Sequence, residues 1–147
     1  MLNFSVCPAV AEDAQVIAAL NESCFGLSSS VQEVARQIKA ILDCADERLL
    51  VAVYRGAMLG YIHLRVDRRT YRAPRMAVVS VAVDKEYRRK GVARALFATA
   101  EELALRMNCE AVSASVGGSR AAQAFFSAVG CEERLNRKQY IKWDRKA

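Results

Sequence analysis

The chain has 147 residues, 53% of them hydrophobic, and 22 Lys and Arg against 16 Asp and Glu give a formal net charge of +6. This length suits one domain over residues 1–147, and the apolar content is enough for a core and too high for a disordered chain. No apolar run approaches the ~20 residues of a membrane span, the five cysteines are odd in number without a CxxC pair, and the one histidine has no ligand pattern beside it, so a transmembrane helix, a disulfide framework and a metal site are all unexpected.

The N-terminal MLNFSVCPAV lacks the basic region and long apolar stretch of a secretory signal, which makes the cytoplasm the expected compartment. LNFSVCP alternates as a short strand does, and Pro8, with no N–H for a ladder, ends it. AVAEDAQVIAALNESCF reads as a helix: Val10, Ala14, Ile17 and Ala18 recur at helical spacing, and Glu12 and Asp13 suit its N-terminal end. After the break GLSSS, Ser30 caps a second helix with Val31, Val34, Ile38, Ile41 and Leu42 on one face. From Glu47 the period becomes two. RLLVAVYRGAMLGYIHLRV is strand, turn and strand, turning at Arg55-Gly56, and Gly60 is a tolerated interruption.

DRRTYRAPR is expected to be a polar loop. Arg65, Arg68, Arg69, Arg72 and Arg75 surround it, either as a solvated face or as a surface that draws in an anion. MAVVSVAV is a nearly continuous apolar run, which predicts a strand buried on both faces. A helix follows Gly91 with Val92, Leu96, Ala100, Leu103 and Met107 on one stripe, and Asn108 suits its end. EAVSASV predicts a strand, SRAAQAFFSAVG a helix capped by Ser119 and ended by Gly130, and CEERL with KQYIKW a terminal antiparallel pair. The order β-α-α-β-β-β-α-β-α-β-β describes an α/β domain.

The stretch EYRRKGVARALFATAEELA joins the apolar strand to its helix through Arg88, Arg89, Lys90 and Gly91. The first turn of a helix has N–H groups without an intrahelical partner, and the dipole adds partial positive charge there. Gly91 removes a Cβ where an anion must come close. The combination reads as a pyrophosphate cradle, against the alternative of a basic surface turn. It is neither a P-loop nor a Rossmann fingerprint, because GxxxxGK[ST] and GxGxxG are both absent.

Arg88-Arg89-Lys90-Gly91-Val92-Ala93 resembles the [Gln/Arg]-x-x-Gly-x-[Gly/Ala] signature of the GNAT family of N-acetyltransferases, which also lies between a central strand and a long helix. PAVAEDAQVIAAL resembles that family's first helix, SRAAQAFFSAVGC its late helix and following strand, and the element order matches across essentially the whole chain. The resemblance implies a mixed, mostly antiparallel sheet with a splayed central strand pair, flanked by four helices. It implies acetyl-CoA as co-substrate, with the pyrophosphate on the main-chain amides of Arg88, Arg89, Lys90, Gly91, Val92, Ala93 and Arg94. The pantetheine arm would lie along Val81 and Val83, and the Val81 N–H would serve as the oxyanion donor.

The chain departs from the family in three places. Phe126 stands four residues before Gly130, where the family often has the tyrosine that protonates the leaving thiolate. Ser119 stands where an asparagine often touches CoA, and can still hydrogen-bond; with Phe126 it is counted among the cofactor contacts. The glutamate often used as base would fall near Ala77, where no carboxylate occurs. Tyr140 is the substitute acid or simply a sheet tyrosine, and His63, sharing a face with Tyr61 and Arg65, is a conceivable base or a structural strand histidine.

The resemblance implies direct acetyl transfer from acetyl-CoA to a primary amine, small or peptide-borne, by a monomer or homodimer without a nucleic-acid or membrane partner. The alternative is an acyl-CoA-binding sensor without turnover. The segments NESCFGLSSSVQEV and ERLNRKQ are expected to wall the acceptor site.

Overall fold

The computed structural model describes residues 3–115, 120–133 and 142. The chain divides into two compact units, Met1–Ser115 and Val116–Ala147. In the first, strands β1 (Ser5–Pro8), β2 (Glu47–Tyr54), β3 (Ala57–Arg69), β4 (Arg72–Val83) and β5 (Ala111–Ala114) form one sheet in that spatial order. β1 to β4 are antiparallel neighbours. β5 runs parallel to β4, as a crossover through a helix requires. That crossover is α3 (Val92–Arg106).

Helices α1 (Ala14–Phe25) and α2 (Val31–Leu42) cover one face of the sheet, where Ile17, Leu20, Val34 and Ile38 pack with Leu49, Val51, Tyr61 and Ala82. Ile62, Leu64 and Val66 alternate to the opposite face and are buried. α3 contacts β3 and β4 and buries Val92, Leu96, Phe97, Ala100 and Ala104. The predicted Ser30 cap forms, and the predicted Ser119 cap lies outside the described residues. Ser30 Oγ accepts the Glu33 N–H at 3.1 Å to start α2. Gly26, at φ 68°, closes α1 by donating its N–H to the Glu22 carbonyl at 2.9 Å.

Two expectations are corrected here. The arginine-rich segment is not a loop: it continues β3 and β4 into one long hairpin that turns at Thr70-Tyr71. Its arginines are spoken for by carboxylates. Arg69 and Arg72 both meet Asp67 at 2.9 Å, Arg68 meets Asp46 at 3.3 Å, Arg75 meets Glu110 at 3.2 Å and Arg65 meets Glu47 at 3.4 Å. The strand MAVVSVAV is not buried on both faces either. Met76, Val78 and Ala82 are buried, whereas Val79 is 40% exposed.

In the second unit, α4 (Arg120–Ala128) runs to Gly130 at φ 96°, and the Cys131 N–H returns to the Phe126 carbonyl at 2.9 Å. Phe126 is buried, with its ring edge-on to Phe125 at a centroid distance of 5.2 Å. The expected terminal strand pair falls mostly outside the described residues; the described residues 131–133 have no regular structure. Among the described residues no helix is long and apolar enough to cross a membrane.

Candidate active site

β5 pairs with β4 only from Arg75 to Val78, opposite Ala111 to Ala114. Beyond Val78, β4 has β3 on one side and, among the described residues, no strand on the other. A bulge sits at this point. His63 faces Ser80 and the next residue, Leu64, faces Val78, so Val79 is the extra residue. The bulge inverts the alternation of β4. Met76 and Val78 share the face of Val66 and Leu64, whereas Ser80 and Ala82 share the face of His63 and Tyr61, under α1 and α2.

The phase of the β3–β4 ladder fixes which polar groups are left over. The Asp84 N–H donates to the Leu59 carbonyl at 2.8 Å. In an antiparallel pair, hydrogen-bonded and non-hydrogen-bonded residue pairs alternate. Counting back from Asp84, Ala82 and Ser80 face β3, whereas Val83 and Val81 turn their N–H and C=O to the unpaired side. The contacts of Val83 agree with this, since its carbonyl accepts from Cys24 Sγ and from Arg88 Nε, each at 3.4 Å.

The strand then runs into a tight turn. A short 3-10 segment, Lys85–Tyr87, is capped by the Asp84 side chain, which accepts the Glu86 N–H at 2.9 Å. Arg89 has φ 60° and Gly91 φ 85°. Gly91 is the residue preceding α3, and the first α-helical bond runs from the Ala95 N–H to the Gly91 carbonyl at 3.0 Å. The N–H groups of Val92, Ala93 and Arg94 therefore precede the helical ladder. A Cβ built on Gly91 would meet nothing within 4 Å, so the approach is open. Arg88, Arg89, Lys90 and Arg94 are exposed around it. Arg88 turns back towards the strand, with its Nη2 also 3.6 Å from Cys24 Sγ.

On the α1–α2 face of the sheet a cavity of about 240 Å³ opens beside β4, with Tyr61, His63 and Ser80 in its lining. His63 Nε2 lies 2.8 Å from Glu47 Oε1, and the two side chains are 11% and 17% exposed. Burial by itself raises the Glu47 carboxyl, but the hydrogen bond and charge of His63, together with Arg65, outweigh it and hold the carboxyl below its ordinary range. An ionised carboxylate only accepts, so Nε2 carries a hydrogen and Nδ1 is the ring nitrogen left to exchange a proton. Tyr61 donates its hydroxyl to Asn21 Oδ1 at 2.5 Å, and burial pushes its phenol up from the ordinary value.

The predicted cofactor residues Val81, Val83, Arg88, Arg89, Lys90, Gly91, Val92, Ala93 and Arg94 thus form one continuous run from the splay to the first turn of α3. Phe126 lies on α4 in the second unit, and Ser119 and Tyr140 fall outside the described residues. Ala77 pairs with Arg65, and Arg65 pairs with Glu47, so a carboxylate stands two strands away in the same row. Sequence reasoning named His63 but missed Glu47. The signal was the two-residue period of the β2–β3 hairpin, whose register puts Glu47 and His63 on one face.

The family model described as the acetyltransferase (GNAT) family matches residues 14–131. No curated protein matches the chain. Among solved structures, a transcriptional regulator from Bacillus halodurans C-125 superposes with a TM-score of 0.83 at 18% identity, over 95% of this chain and 100% of its own. Aminoglycoside N-acetyltransferase AAC(6')-Iy, in complex with CoA, gives 0.83 at 16% identity over 95% of each chain. Aminoglycoside 6'-N-acetyltransferase AAC(6')-Ih from Acinetobacter baumannii gives 0.81 at 18%, over 97% of this chain and 99% of its own. At these identities the likeness is one of fold.

Proposed function

Because the chain belongs to the GNAT family of acetyltransferases, we propose that it moves the acetyl group of acetyl-CoA to a primary amine by direct attack. One observation carries this reading: Val81 and Val83 turn their polar backbone groups to the side that β5 leaves unpaired, on a strand that leads straight to the helix start at Gly91. Buried or half-buried N–H and C=O groups need partners, and an amide-bearing pantetheine arm supplies them as an added strand would. The Val83 carbonyl exchanges its bond from Arg88 for one from the arm.

The amides of Val92, Ala93 and Arg94, with the helix dipole, hold the pyrophosphate. Gly91 lets it come close, and Arg88, Arg89 and Lys90 add charge that is screened in solvent and matters less than the fixed amides. A solved relative of this fold was crystallised with CoA, which supports the same cofactor here. Acetyl-CoA brings an activated thioester. The Val81 N–H donates to its carbonyl oxygen as negative charge develops there. A thiol has a pKa near ~8.5, so a thiolate leaves without strict need of an acid.

The test is a panel of primary amines incubated with acetyl-CoA, read by thiol release and by product mass. Acetylation of at least one amine, dependent on folded protein, is expected. A second reading, an acyl-CoA sensor without turnover, is favoured by Phe126 at the family's usual acid position and by the fold neighbour described as a transcriptional regulator. Acetyl-CoA binding with no thiol release from any amine selects that reading.

A further inference from the structure

The cavity beside β4 carries information about the acceptor that the cofactor run does not. Ile17, Val34, Ile38, Ile41 and Leu49 give it an aliphatic side, and Asn21, Ser29 and Gln37 are neutral polar groups in the same lining. Its volume is about 240 Å³. Among the described residues lining it, Glu33 is the only carboxylate, and it is engaged by Arg36 and by Gln37 Nε2, the latter at 3.1 Å. Such a site has room and apolar surface for a short stem, and too little negative charge for a multi-ring polycation.

At the β4 side stand His63 and its register partner Ser80, one residue from Val81. Alkylamines are protonated at neutral pH, and the ammonium has no lone pair with which to attack. We propose that this cavity admits a singly charged amine on a short apolar stem, and that His63, held by Glu47, takes its proton.

The inference rests on the acetyltransferase reading. The ammonium gives one proton to Nδ1, while Nε2–H stays bonded to Glu47 Oε1, whose negative charge steadies the imidazolium. The freed lone pair of the amine forms the C–N bond, and the C–S bond breaks with its electrons leaving on sulfur. The amide nitrogen sheds its second proton, which balances the thiolate as free thiol, and the imidazolium returns its proton to water. The charged and titratable groups around His63 are Glu47 at the start of β2, Cys44 in the turn before it, Tyr61 and Arg65 on β3, and Glu33 from α2. The phenol of Tyr61, pushed up by burial, stays protonated through the neutral range and does not compete as the base.

The experiment measures kcat/KM against pH for wild type, H63Q and E47Q. The probes are hexylamine and 2-phenylethylamine, with spermidine and kanamycin as polycations, and an acetyl-CoA titration of each variant shows that its fold and cofactor site persist. His63→Gln should lower kcat/KM by roughly 10²–10⁴ and remove the limb that rises with pH, with acetyl-CoA affinity unchanged. Glu47→Gln, which removes the carboxylate that holds the ring, should lower kcat/KM by less than His63→Gln does, with acetyl-CoA affinity unchanged. The two apolar amines should exceed the polycations. An H63Q enzyme with the wild-type rate and limb overturns the assignment of His63, and a preference for spermidine or kanamycin overturns the acceptor class. Wild-type protein that binds acetyl-CoA but turns over no amine overturns the transferase reading itself, and the base with it.

Discussion

Glu47 gathers His63 and Arg65 at the start of β2. Its carboxyl is lowered in the folded state, since the His63 and Arg65 interactions outweigh burial. A lowered carboxyl stabilises the fold fully above its unfolded value near 4.5 and loses that contribution as pH falls through the folded value. Glu47→Gln should therefore cost about 1–2 kcal/mol at pH 7, the scale of a charged hydrogen bond that is partly shielded from water. The deficit relative to wild type should shrink in melts at progressively lower pH below about 4.5; a deficit that is constant with pH would mean the carboxylate is not engaged. The dyad was only half legible. His63 stood out as the chain's one imidazole, but its partner is 16 residues away, and only the register of a hairpin brings the two together.

At the scale of the element, the β3–β4 hairpin does most to shape the site. The β2–β3 register beside it was legible at the turn Arg55-Gly56 and in the alternation of Tyr61, His63 and Arg65. The bulge in β4 was not, because every neighbour of Val79 in MAVVSVAV except Ser80 is apolar and either face of the strand reads alike. Ser80, the one polar residue of that run, is the residue the bulge turns towards the cavity. Gly60 has a specific role in this pairing. A Cβ there would stand 2.5 Å from the Ala82 carbonyl oxygen and 3.1 Å from Val83 Cα, and both are backbone atoms that cannot rotate aside. Gly60→Ala should force β3 and β4 apart at the end of β4. The expected cost is about 2–3 kcal/mol in urea unfolding, with weaker acetyl-CoA binding because Val83 moves. Wild-type stability in that variant would contradict the close approach.

For the whole molecule, helix and strand order through β5 and α4 was readable from periodicity, caps and turn residues, because each amphipathic element has to bury one face and says so in its spacing. Less legible was the unpaired stretch of β4 among the described residues. It arises from the difference in length between β4, with 12 residues, and β5, with 4, and neither length shows in the apolar pattern alone. We propose that the gap and the turn after it make one path for an extended, pyrophosphate-bearing ligand. Calorimetric titration of acetyl-CoA into wild type and into Gly91→Asp tests it most directly. Aspartate tolerates positive φ better than most side chains and Gly91 has open space around it, so the variant should stay folded while its carboxylate occupies the pyrophosphate position. Wild type should bind in the micromolar range, about 8 kcal/mol, and the folded variant should show no binding heat. A well-folded wild type that takes up no acetyl-CoA, or a variant that binds it equally well, would contradict the account.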